Sequence, residues 1–194
     1  MPKQRVTAES ILSAALSLVR AQGYDAINAR SIARALGCSV QPIYSSFGNM
    51  EGLMTALYNH AKAFYHAYIQ ARLSREGVFP SIGEAHICFA REEPALYRFL
   101  FLSPHMGAGG YEDVYRLHHL PEGEEDVTGR LALSLEDARR LYLHMMIYTS
   151  SIACSLATGA ANPSHTEVCD MVNFAYAAFL DKLKGEKNHE TDRS

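Results

Sequence analysis

The chain has 194 residues, 48% of them hydrophobic, with a formal net charge of −3, which is too apolar for a disordered chain and enough for a real core. No apolar run approaches the ~18 residues needed to span a bilayer, and the opening MPKQRVTAES lacks the apolar stretch of a signal peptide, so a cytoplasmic protein without a membrane partner is expected. The charge divides into +3 over residues 1–50 and −6 over the remainder, which places any polyanion contact at the basic head.

Apolar residues recur at helical spacing throughout and β-branched alternation is absent, so an all-α fold is expected. Thr7 opens a first helix with Ile11, Leu12, Ala15, Leu16, Leu18 and Val19 on its inward stripe, and Gly23 stops it. A short second helix runs from about Asn28 to Leu36 and ends at Gly37. Ser39 is placed to cap a third, Val40 to Phe47, with Pro42 in the first turn, where a missing N–H costs nothing. After Gly48 and Asn49 a long helix is predicted from Met50 to Arg75, then shorter ones over Ser81–Arg91, from Pro94 and over Tyr111–His119. Pro121 to Gly129, rich in acids, reads as a solvated loop. Ser134 with Asp137, and Ser164 with Glu167, resemble capping boxes for two closing helices that end at Gly159 and Gly185.

Three short helices within fifty residues, with a tight glycine turn before the third, have the layout of a helix-turn-helix. Gly37 permits the turn, and Ala33 is small enough for the second and third helices to approach. Ile32, Leu36, Ile43 and Phe47 can share one core, which leaves Ser39, Val40, Gln41, Ser45 and Ser46 on the outer face of the third helix, free to enter a major groove.

The runs Gly23-Tyr24-Asp25-Ala26, Arg30-Ser31-Ile32-Ala33 and Leu36-Gly37-Cys38-Ser39, followed by Ile43-Tyr44 and Phe47, resemble the signature of the TetR (tetracycline-repressor) family. The specific pattern covers about residues 7–55; beyond it the likeness is one of helix count and order, about nine helices with the last two long. The resemblance implies that the third helix reads bases while Tyr44 and the start of the first helix, near Thr7, hold phosphates. Relatives often carry Lys near the start of the fourth helix, where this chain has Met50, and no Lys or Arg lies between Ser39 and Phe47. Gln41 can pair with adenine N6 and N7, and Val40 and Pro42 can touch thymine methyls, with Ser45 beside them. Arg30, Lys3 and Arg5 then supply much of the phosphate grip, and the salt dependence is expected to be shallow.

Residues 1–49 are thus expected to form the DNA-binding domain, 50–185 a helical effector-binding and dimerisation domain, and 186–194 a polar tail. The last helix is apolar on more than one face, and a second subunit would cover it. The candidates for a four-helix homodimer interface are Leu141, Tyr148, Ile152, Leu156, Val168, Met171, Val172, Ala175 and Phe179. Soft and polar-tipped side chains in the middle suit the lining of an apolar pocket: Phe64, Tyr68, His86, Phe89, Tyr97, Phe101, Met106, Tyr142, Met145 and Met146. With no cluster of Arg or Lys among them, an aromatic, lipophilic or cationic effector fits better than a multiply charged anion.

No cofactor, metal or catalytic residue is expected. Cys38, Cys88, Cys154 and Cys169 are scattered without a C-x-x-C pair. His118 and His119, being adjacent, diverge by about 100° on a helix. Ser, His and Asp form no recognisable nucleophile motif, and no Gly-rich phosphate loop is present. The function expected is that of a ligand-responsive DNA-binding regulator, a repressor by family habit, released from a pseudo-palindromic operator by a small molecule. A helical small-molecule-binding protein with weakened or lost DNA binding is the alternative, kept open by Met50 and the uncharged third helix.

Overall fold

The computed structural model describes residues 6–191, with side chains up to residue 185. Among the described residues the fold is all-α. Its helices are α1 Ala8–Gln22, α2 Ala29–Leu36, α3 Gln41–Phe47, α4 Met50–Gln70, α5 Val78–Glu92, α6 Pro94–Phe101, α7 Tyr111–His118, α8 Pro121–Leu131, α9 Leu135–Thr158 and α10 His165–Thr191. Two single 3-10 turns, Tyr24–Ala26 and Pro104–Met106, complete it. None of these helices is long and apolar enough to cross a membrane.

Five of the ten helix starts are set by polar side chains that satisfy otherwise orphaned backbone donors. Thr7 Oγ1 accepts from the Ser10 amide at 3.1 Å while the Thr7 amide donates to Ser10 Oγ at 2.9 Å. Asn28 and Ser31 repeat this reciprocal pair at α2. Asn49 Oδ1 takes the Gly52 amide at 2.8 Å at the head of α4, and Ser134 and Ser164 take the amides of Asp137 and Glu167 at α9 and α10. Ser39, in contrast, does not cap α3. The Val40 carbonyl already accepts from the amides of Ile43 and Tyr44, so Val40 is the capping residue and Ser39 lies outside the helix.

Three boundaries differ from those expected. α4 ends at Gln70, not near Arg75: the chain turns there, and Ser81 Oγ takes the Ser74 amide at 3.1 Å while donating to the Val78 carbonyl, so α5 begins at Val78. The acidic segment expected to be a loop is α8, which raises the helix count to ten. Pro121 occupies its first turn, Val127 is fully buried, Asp126 accepts from the Phe79 amide and pairs with Arg130 one turn on, and Glu124 accepts from the Tyr115 hydroxyl. The acids therefore work as caps and cross-links, a role that composition cannot reveal. Finally, α10 continues through Gly185 to Thr191.

The chain divides into two compact units. Among the described residues, one contains 6–68 together with Glu92–Gly107; the other contains Ile69–Arg91 and 108–191. In the first, α1 packs against α2, α3 and α6. Ile11, Ala15 and Val19, one turn apart, are fully buried and meet a core that includes Ile32, Ala33, Ile43, Leu53, Leu57, Leu96, Phe99 and Leu100. Tyr58 donates to the Leu100 carbonyl at 3.0 Å. Arg20, in the last turn of α1, makes a two-pronged ion pair with Glu93 and lies 5.6 Å from the centre of the Phe64 ring.

In the second unit α9 packs against α7, α8 and α10. The main core gathers Phe79, Tyr115, Val127, Leu133, Leu141, Tyr142, Met145, Ala175 and Leu183, and a smaller cluster joins Ile87, Ile152 and Val168. This corrects part of the expected dimer face. Leu141, Ile152, Val168 and Ala175 are buried in the chain's own packing and leave little surface for a second copy. Tyr148, Leu156, Val172 and Phe179 are half-buried against the same clusters. The apolar surface left outward on α10 is Met171 and, missed by the sequence reading, Phe174, which is 77% exposed.

Candidate nucleic-acid interface

The N-terminal helices present α3 as the reading element. Gly37 adopts a left-handed conformation, φ 62°, which a side chain would strain, and this lets α2 end one short turn before α3 begins. Ile43 and half-buried Phe47 turn inward, so Gln41, Tyr44 and Ser45, three and four residues apart, share the exposed face. Ser39 is exposed next to them, whereas Val40 and Pro42 are half-buried and offer only part of their methyl and ring surface. Thr7 is exposed and its hydroxyl serves as the cap of α1, which leaves its hydrogen free to donate. Lys3 and Arg5 lie outside the described residues.

An open cleft of about 630 Å³ adjoins this face. Arg30, Arg34 and Asn28 of the α2 segment line it, with Tyr44 of α3 and Met50 of α4. No carboxylate does. Elsewhere arginines are neutralised: Arg20 by Glu93, Arg116 by Asp113, Arg130 by Asp126, Arg139 by Glu124 and Arg140 by Asp137. Arg30 and Arg34 are both exposed and make no ion pair among the described residues. Sequence reasoning singled out Arg30 and passed over Arg34, although the spacing of four on one helix was there to be seen.

The side chains expected around an effector fall in both units. Phe64, Tyr68, Tyr97, Phe101 and Met106 belong to the first, where the Tyr97 and Phe101 rings lie 4.7 Å apart and Tyr68 donates to Glu92. His86, Phe89, Tyr142, Met145 and Met146 belong to the second. There Ser150 Oγ lies 3.3 Å from His86 Nε2, and burial pulls the imidazole down to about 4, so it is neutral at physiological pH.

Tyr142 has a structural task within that unit. Its hydroxyl accepts from the buried Leu120 amide at 2.9 Å, where α8 starts, and burial pushes its pKa up to about 12. Tyr142→Phe leaves that donor unpaired and is expected to cost about 1–3 kcal/mol in chemical denaturation. A loss under 0.5 kcal/mol would show that water or a rearranged chain takes over the bond.

A small three-helix core, an outward polar face on the third helix and unneutralised arginines beside it define a helix-turn-helix DNA-binding protein. Residues 11–57 match the family model described as bacterial regulatory proteins, tetR family. The whole fold is similar to two solved TetR-family regulators. One, from Marinobacter aquaeolei VT8, is 17% identical, with 88% of this chain and 94% of that chain covered at a TM-score of 0.62. The other, from Streptomyces coelicolor, is 20% identical, with 91% and 98% covered at a TM-score of 0.59. No curated protein sequence matches the chain. Residues 11–57 are thus similar to the N-terminal DNA-binding domain of tetR-family regulators, and the chain shares the helical fold of the two solved proteins.

Proposed function

We propose that the protein is a cytoplasmic, ligand-responsive repressor that binds a pseudo-palindromic operator as a homodimer. Residues 1–49 serve as the reading head and 50–185 as the effector-binding and dimerisation part. The observation that carries the DNA reading is the exposed Gln41–Tyr44–Ser45 face of α3 set beside two arginines that make no ion pair among the described residues. In this reading Gln41 forms the base contact that discriminates, Tyr44 and Arg30 hold the backbone, and the family Lys that Met50 replaces is made up for elsewhere on the head.

The test is binding to the DNA upstream of its own gene over a range of salt. Gln41→Ala is expected to cost about 1–3 kcal/mol on the preferred duplex and nothing on unrelated DNA. The reading fails if binding by the intact protein is neither salt-sensitive nor sequence-preferring. The second half of the proposal is release. A small molecule must bind more tightly to a state whose two heads no longer match one DNA turn of about 34 Å. An aromatic or cationic compound that raises the melting temperature yet leaves operator affinity unchanged would refute release.

A further inference from the structure

We propose that the cleft between α2 and the head of α4 seats a DNA backbone phosphate, and that Arg34 supplies the cation that grips it. This rests on the DNA-binding reading above and assigns a residue that reading did not include. Arg34 follows Arg30 by four residues on α2, a rise of about 6 Å along one helix face. Both guanidiniums line the same cleft, with Tyr44 reaching into it from α3.

Three observations point to a polyanion there. The cleft holds two positive charges and no carboxylate. Neither guanidinium has an acidic partner among the described residues, in a chain where five other arginines do. Tyr44 lines the cleft and is exposed, as is Gln41 three residues before it on α3, so a strand whose bases meet α3 would bring its backbone toward the cleft. The α3 helix has no cation of its own, and Met50 contributes only an apolar wall. Among the described residues that line the cleft, Arg30 and Arg34 of α2 are the cations available to attract the strand. A guanidinium suits the task because its planar fork matches two phosphate oxygens at once.

The probe is a duplex enriched from a random library by the intact protein, compared with a scrambled duplex. Arg34→Ala is expected to weaken binding to both duplexes by about the same factor, on the order of tenfold at low salt, and to reduce the slope of log affinity against log salt by about 1. Arg34→Lys should restore the slope and part of the affinity. Arg34 is exposed and has no ion-pair partner among the described residues, so neither change should move the melting temperature. The assignment is overturned if Arg34→Ala leaves affinity and slope as they were while Arg30→Ala lowers them. It is also overturned if Arg34→Ala alters which bases are preferred, since that would make Arg34 a reading residue. If the intact protein enriches no duplex at all, the regulator reading itself falls and takes this assignment with it.

Discussion

Gly52→Ala is expected to lower the stability of the N-terminal unit by about 1–3 kcal/mol, a cost typical of overpacking, and to reduce specific DNA binding tenfold or more. Gly52 sits in the first turn of α4, where a Cβ would fall well inside contact distance of the Phe47 carbonyl oxygen. Phe47 is the last residue of α3, and its carbonyl already accepts from the Asn49 amide at 2.9 Å. Both colliding atoms belong to the backbone frame, so no rotamer change relieves the clash. The joint between α3 and α4 must open, and the reading helix shifts with it. A bidentate base contact is worth about 1–3 kcal/mol only when its geometry holds, so a small tilt at Gln41 is costly. Gly129→Ala is the control. That glycine lies within α8 with open space where a Cβ would go, so the change is expected to be neutral or to stabilise by about 0.5–1 kcal/mol. Melting curves and titration of an operator duplex check both variants. Equal behaviour of the two would show that the α3–α4 joint is loose.

The contrast between these two glycines marks what a sequence discloses. The head was legible because its demands are local: Gly37 at a left-handed turn, Asn28 at a helix start, Ile32 and Ile43 inward, Gln41 outward. Each follows from spacing along one or two helices. Close approach between helices does not, so Gly52 gave no sign of its role. The same limit hid α8. Its glutamates and Asp126 suggested a solvated loop because charge was judged without partners, and the Phe79 amide, the Tyr115 hydroxyl and Arg130 that engage them come from distant segments or from one turn on. The apolar excess of α10 could be read along the chain, but the expected interface mixed the buried Val168 and Ala175 with the exposed Met171 and left out Phe174. Periodicity gives stripes, but which stripe meets α9 is a tertiary fact. Arg34 escaped for a different reason: on paper it was one more positive charge, and only the pairing of the other arginines sets it apart.

Phe174→Glu is expected to convert a dimer into a monomer and to weaken operator binding on the order of a hundredfold or more, the gain that linking two sites typically provides. The argument starts from α10. Val168, Ala175 and Leu183 are buried, and Val172, Tyr176 and Phe179 pack against the same core, which completes one apolar face. Met171, Phe174 and Ala178 recur at the same helical spacing on the outside and are exposed. A phenylalanine 77% in water is an expensive surface residue, since burying such a side chain is worth about 1.5–3 kcal/mol. In a two-fold dimer each copy offers the same patch, so one residue counts twice, and one glutamate introduces two carboxylates into a single apolar interface. Because Phe174 makes little contact within its own chain, the variant should keep its helical content. Its melting temperature should lose only the part that depends on protein concentration. Sedimentation at micromolar concentration reads the oligomer and a DNA titration reads the consequence. A variant that remains dimeric would place the interface away from the outer face of α10. A variant that is monomeric but binds operator as tightly as the parent would mean that one head suffices, despite a reading helix without a single cation.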